Sequence, residues 1–217
     1  MLYLPKIPKV VRKFYSDYTW RVKRKDKVLF LTFDDGPVPE VTHWVLEQLY
    51  AYQARATFFF IGRQVQAYPE LAHQVIDQGH CIGNHTFSHK DGWKTDNKLY
   101  LRDFLQGHQA IKEYTGYQTI YFRPPFTRIS KSQAKHIMRS HQIIMLDVMS
   151  GDFDENISPE TCFQNVVQNA KTGSIVLFHD TQKAWPRLKE VLPRVLAHFD
   201  QEGYRFLGID EGLGHSE

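Results

Sequence analysis

Val28-Leu29-Phe30-Leu31-Thr32-Phe33-Asp34-Asp35-Gly36-Pro37 is an apolar run that ends in two adjacent carboxylates and a Gly-Pro turn. The run is too short and too rich in strand-forming residues for a helix, so it reads as a β-strand with both aspartates at its mouth. Neighbouring carboxylates repel, and a chain that keeps two together usually needs one to hold a cation and the other to handle a proton. The plainer alternative is a tight turn in which the aspartates bond their own backbone.

Working outward, similar runs recur at Ala56–Ile61, His80–Gly83, Ile120–Phe122, Ile143–Asp147, Ser174–Phe178 and Tyr204–Ile209. Amphipathic segments of helical period separate most of them, which predicts seven strands in βα units around a parallel sheet. Helix boundaries are punctuated: Pro69-Glu70 opens one with Gly79 beyond it, and Ser158-Pro159-Glu160 opens another with Gly173 beyond. The longest helix is predicted over Asp96–Tyr114, stopping near Gly116. Asp34 and Asp35 follow the first strand, His85 and His89 the third, Arg123 the fourth, Asp152 the fifth and His179 the sixth. In a parallel sheet or barrel those strand ends open on one face, so the five converge.

At 217 residues with 42% hydrophobic content the chain can bury one sizeable core, and we read one domain over 28–217. The preceding residues, 1–27, form a basic extension that packs on or flanks it. Nine Lys/Arg against Asp17 and Asp26 make that head +7, and the remaining 18 basic and 22 acidic residues sum to −4. Such a head suits peripheral contact with anionic lipid, although its aromatics (Tyr3, Phe14, Tyr15, Tyr18, Trp20) favour packing on the domain. No long apolar run or secretory h-region occurs, and two cysteines, Cys81 and Cys162, rule out a disulfide framework. The expected location is cytoplasmic, peripheral to a membrane. No nucleic-acid-binding motif is recognisable, so none is expected as a partner.

His85-Thr86-Phe87-Ser88-His89 spaces two imidazoles by four residues, which on one helical turn aims both at a common point. With Asp35 they make a two-histidine, one-carboxylate set with open positions, the layout of a catalytic metal site. Alone, such a pair is more often a set of surface or helix-capping histidines. Cys81 reads as a buried small hydrophobe and stays outside the set. In Arg123-Pro124-Pro125-Phe126 a stiff loop presents a guanidinium fork suited to a carboxylate, or to a surface ion pair. Trp93 and Phe153 read either as core aromatics or as walls of a sugar-sized groove.

These stretches resemble the motifs of the polysaccharide deacetylase family (NodB homology, carbohydrate esterase family 4) over Val28–Leu207. Thr32–Pro37 matches the first motif, which implies Asp34 as general base and Asp35 as metal ligand. His85–His89 matches the second, implying both histidines as ligands. Arg123–Phe126 resembles the third, in which the arginine orients the base and the backbone around Pro125 and Phe126 meets the oxyanion. Asp152-Phe153 and Leu177–His179 resemble the fourth and fifth, implying His179 as general acid and Asp152 as its orienting partner. Phe126, Met149 and Phe153 depart from the Tyr, Asp and Trp frequent in the family, which touches the substrate pocket and not the catalytic set. The resemblance implies a distorted (β/α)7 barrel and a divalent ion, zinc first, with Co2+ or Ni2+ as alternatives. It also implies removal of N-acetyl or O-acetyl groups from an N-acetylated glycan, releasing acetate. Hydrolysis of a small non-peptide amide or imide on the same site, or a catalytically silent glycan binder, are the competing readings.

Overall fold

A computed structural model describes residues 3–214; Met1 and Leu2 of the basic head and residues 215–217 lie outside the described residues. In chain order the elements are α1 (Lys9–Phe14), β1 (Val28–Asp34), α2 (Val41–Ala51), β2 (Thr57–Phe60), α3 (Gly62–Ala67), α4 (Pro69–Asp77), β3 (Cys81–Asn84), α5 (Asn97–Thr115), β4 (Tyr121–Phe122), α6 (Lys131–Ile137), β5 (Gln142–Ile143), β6 (Val148–Met149), α7 (Pro159–Val167), β7 (Ile175–His179), α8 (Trp185–Gln201), β8 (Arg205–Phe206) and α9 (Ile209–Leu213). Seven strands follow one parallel path, β5-β4-β3-β2-β1-β7-β6, and β8 pairs with β1 off that path. This is the distorted (β/α)7 barrel implied by the resemblance.

Every residue of β1 is buried, because the strand faces side chains on both of its surfaces. Successive residues alternate between those surfaces. Leu29, Leu31 and Phe33 join Phe58, Phe60, Val176 and Phe178 beneath helices α2, α4 and α8. Val28 and Phe30 join Phe59, Tyr121, Ile175 and Leu177 inside the barrel. Continuing the alternation turns Thr32 and Asp34 inward, and the same count along β7 turns His179 inward. Asp34 and His179 are register partners on adjacent strands, so the pleat alone delivers both to one interior face.

The helices start and stop where their caps allow. The Asp96 carboxylate accepts from the N–H groups of Lys98 and Leu99 at the head of α5, and Gly116 closes it with φ 70°. Ser158 caps α7 ahead of Pro159, and Pro69 opens α4.

One predicted strand, Ile143–Asp147, does not form as a unit. Only Ile143 lies in a strand, β5, and β6 begins just past its end at Val148, while the residues between spend their backbone groups elsewhere. Ile144 and Met145 present their carbonyls to the Arg123 guanidinium, and the Met145 N–H donates to Thr19. The gap between β5 and β6 is filled by the N-terminal segment, through bridges Lys6–Val148, Thr19–Ile144 and Arg21–Ser174. Beneath it, Asp147 is fully buried. It accepts from Lys6 Nζ at 2.8 Å, with Arg21 Nε at 3.1 Å and an Arg12 nitrogen at 3.9 Å. The Ser174 hydroxyl and the Ile175 N–H complete its shell. At the far end, the Tyr3 ring packs against Phe153 with centroids 5.2 Å apart.

Candidate active site

At the C-terminal end of β1, Asp34 is 4% exposed and its Oδ1 accepts from Arg123 at 2.7 Å. Arg123 is wholly buried, so each of its three nitrogens needs an acceptor. The guanidinium donates to Thr32 Oγ1, Ile144 O and Met145 O as well as to Asp34. Its plane lies 4.2 Å over the Phe59 ring. That ring has room because β3 carries Gly83 alongside it, where a Cβ would come within 2.3 Å of the ring. A glycine on one strand thus seats a phenyl on the next, and the phenyl seats the arginine that holds Asp34.

Asp35, at φ 80°, turns its carboxylate to the other side of the chain. Its Oδ1 lies 3.4 Å from His85 Nε2 and 3.0 Å from His89 Nε2, and one ligand atom from each residue falls within 4.8 Å of the others. The tautomer of His85 follows from its other nitrogen. Nδ1 sits 2.7 Å from the Arg123 carbonyl, which can only accept, so Nδ1 carries the proton. In the neutral ring Nε2 then aims a lone pair at a carboxylate oxygen. That oxygen is itself buried and has no hydrogen-bond partner among the described residues. Facing lone pairs around an orphaned anionic oxygen fit a cation between them. Burial opposes ionisation of Asp35, but in the alternative arrangement, where the two imidazoles donate to it, they and the nearby His179 hold its carboxyl well below the usual carboxylate range.

The His85–His89 segment is not the helical turn the spacing predicts. It is a loop, with Thr86 at φ 64° and His89 at φ 58°. Side chains rather than helical hydrogen bonds shape it: Asn84 Oδ1 accepts from Thr86 N–H, and Thr86 Oγ1 from His89 N–H. Asp103, on α5, accepts from both the N–H and the hydroxyl of Ser88. α5 reaches the loop because Gly107 leaves no Cβ to strike Asn84 and Thr86.

Across the barrel mouth, buried Asp152 accepts from His179 Nδ1 at 2.8 Å and from the His179 N–H at 2.7 Å. This leaves His179 Nε2 directed away from Asp152. Burial works against a charged His179, but Asp152 together with Asp35 and Asp34 outweighs it and raises the pKa to about 9. Phe153 meets the imidazole edge-on at 5.3 Å. On the opposite rim the Phe126 ring meets His89 at 4.6 Å, and Arg128 lies over both Phe126 and Trp93. Phe126 is 48% and Trp93 66% exposed, so they form an open aromatic rim. Pro125 beside Phe126 is buried.

Two residues of this centre carry no strong signal in the sequence reading. Asp180 accepts from Gly36 N–H and Thr42 Oγ1 and so pins the turn after Asp35; burial, with Asp35 and Asp34 nearby, pushes its pKa up to about 8. Its only cue is adjacency to His179. Asp103 is legible in principle, because it falls on the same stripe as Tyr100, Phe104, Gly107 and Ile111, where an acid is out of place.

Comparison with known proteins identifies the family. The polysaccharide deacetylase profile matches residues 21–143, more than half of the chain. The chain belongs to the polysaccharide deacetylase family. A peptidoglycan-N-acetylglucosamine deacetylase of Bacillus cereus is 35% identical over 90% of this chain and 92% of its own length. The peptidoglycan-N-acetylmuramic acid deacetylase PdaA of Bacillus subtilis is 30% identical over 89% of this chain and 74% of its own. Among solved structures, a peptidoglycan N-acetylglucosamine deacetylase bound to an N-oxidanyl-benzamide superimposes with TM-score 0.84 at 25% identity, covering 94% of this chain and 97% of that one. A family pseudoenzyme from Bacillus anthracis shares the fold at TM-score 0.80 and 24% identity, covering 90% of this chain and 68% of that one. As a member, this deacetylase is a metal-dependent hydrolase that removes acetyl groups from an acetylated glycan. Because a pseudoenzyme keeps the same fold, the roles of individual residues have to be argued from their chemistry.

Proposed function

We propose that this deacetylase removes the N-acetyl group from amino sugars of a peptidoglycan-type glycan, with Zn2+ held by Asp35, His85 and His89. The observation that carries the reading is the pairing of Asp34 with His179 across β1 and β7, beside the Asp35–His85–His89 cluster. When bound there, zinc lowers the pKa of a water from ~15.7 towards ~7 and polarises the acetyl carbonyl. Asp34, oriented by Arg123, takes the proton of the attacking water as general base. The Phe126 N–H is the proposed donor to the carbonyl oxygen as it gains charge. His179 donates its Nε2 proton to the departing nitrogen, since an amine leaves poorly without one. Asp152 holds the imidazole at Nδ1, so that Nε2 is the nitrogen presented to substrate. Phe126 and Trp93 offer faces to neighbouring sugar rings, which favours an oligosaccharide over a small isolated amide.

The relatives named for N-acetylglucosamine and N-acetylmuramic acid deacetylation support a peptidoglycan substrate and leave two candidate sugars. Acetate release from N-acetylglucosamine oligomers and from muramic-acid-containing glycan strands, with Zn2+, Co2+ or EDTA, tests the reading. Metal-dependent acetate from either supports it. Zinc binding without acetate from any glycan would instead favour the silent homologue.

A further inference from the structure

We propose that the N-terminal segment of this deacetylase is a docking surface for an anionic phospholipid bilayer, with α1 lying on the membrane and a basic cavity beside it taking a lipid phosphate.

The apolar half of this surface is α1. Helical spacing puts Val10 and Phe14 on one face and Lys9 and Lys13 on the face next to it. Arg12 points the other way, towards Asp147. None of the six residues of α1 is buried. Phe14 is 82% exposed, Val10 58% and neighbouring Leu4 55%. A phenylalanine so bare, beside two further exposed aliphatics and flanked by lysines, matches an interfacial helix that dips its apolar face among acyl chains while its cations meet headgroups.

The polar half adjoins it. Tyr15 stacks on Tyr18, and Tyr18 packs on Trp20, whose Nε1 donates to the Tyr15 carbonyl. This ladder leads from the end of α1 into a cavity of about 530 Å3 lined by Arg12, Arg21, Lys23, Tyr18 and Trp20. Three cations share that cavity. Asp147 offsets part of the charge, but it is shared among Lys6, Arg12 and Arg21, so cations outnumber the buried acid. Arg12 Nε is buried and has no hydrogen-bond partner among the described residues, as a donor awaiting an acceptor would be. Across residues 3–25 there are eight Lys/Arg and one acid, Asp17. A soluble polyanion would satisfy the cations but not Phe14 and Val10. A second copy of this chain would cover the apolar face but bring like charge. A bilayer carrying anionic lipid satisfies both halves.

The test is co-sedimentation of the full chain with vesicles of phosphatidylcholine alone or with 40 mol% phosphatidylglycerol. Binding is expected to the phosphatidylglycerol vesicles, at least ~10-fold stronger than to phosphatidylcholine, and to weaken with added salt. Phe14→Ser with Val10→Ser should lower it about 10-fold or more, and Lys9→Gln with Lys13→Gln roughly 5-fold per lysine. All four positions are exposed, so melting temperature and acetate release from soluble oligosaccharide should stay at the parent values. Quenching of Trp20 by brominated lipid, lost in Trp20→Phe, would locate the contact. Absence of vesicle binding overturns the proposal. So does binding that survives the Phe14 and Val10 substitutions, which would mark a purely ionic polyanion contact, or self-association abolished by Phe14→Ser, which would mark a second copy as the occupant.

Discussion

Asp34 and Asp147 are both buried carboxylates gripped by cations, but the two grips are built differently. Asp34 is held by a guanidinium with no exposed surface, wedged over Phe59 and bonded on every side. Asp147 is held by Lys6 and Arg21, each with 27% of its side chain exposed, from a segment that closes the barrel from outside. The first pair has no water to fall back on and fixes the direction of the proposed base; the second shares its charge with solvent and joins chain to chain. A buried ion pair thus means orientation in one place and closure in the other.

The contrast can be broken in order of expected effect. Asp34→Asn should cut acetate release by roughly 10²- to 10⁴-fold while bound zinc, by elemental analysis, stays stoichiometric; undiminished turnover would remove Asp34 from the base role. Arg123→Met strands Asp34 as an uncompensated buried charge and should cost about 3–5 kcal/mol in denaturant unfolding. Asp103→Ala frees Ser88 and the loop that carries His89, so chelator competition should report roughly 10- to 100-fold weaker metal binding. Asp147→Asn should cost only about 1–3 kcal/mol, since its cations can rehydrate, and kcat on soluble oligosaccharide should not change. Equal losses for Arg123→Met and Asp147→Asn would erase the distinction drawn between the two sites.

A pH series sharpens it further. His179 has its folded pKa raised from 6.5 to about 9, so its contribution to stability is complete below about 6.5 and disappears as pH rises through about 9. Metal-free protein should therefore lose melting temperature between pH 7 and 10, and His179→Gln should lack that part of the slope. The same deprotonation would remove the proton that His179 is proposed to donate, so acetate release should decline on the alkaline side.

The central strands were legible because each is a contiguous apolar run, and β1, β2 and β7 form close to where the runs predict them. The strand-end convergence was legible for the same reason: alternation and parallel register are properties of the backbone. The stretch 143–147 was not, because its hydropathy says nothing of the Arg123 side chain that claims its carbonyls. The His85–His89 spacing suited a helical turn equally well. Only contacts from Asn84 and Asp103, the latter 14 residues beyond His89, decide that it is a loop. Asp180 was hidden by its size: one small acid after His179, whose partners Gly36 and Thr42 lie about 140 residues earlier.

The way the barrel is sealed also bears on where the gene can be cut. The family profile begins at Arg21, and an expression clone trimmed to that boundary would discard Tyr3, Lys6, Arg12 and the Thr19 bridge together. Asp147 would keep Arg21 as its one charged neighbour, the edges of β5 and β6 would lie open to pairing with other chains, and Phe153 would lose the ring behind it. Such a fragment is expected to aggregate although every residue of its catalytic centre is still encoded.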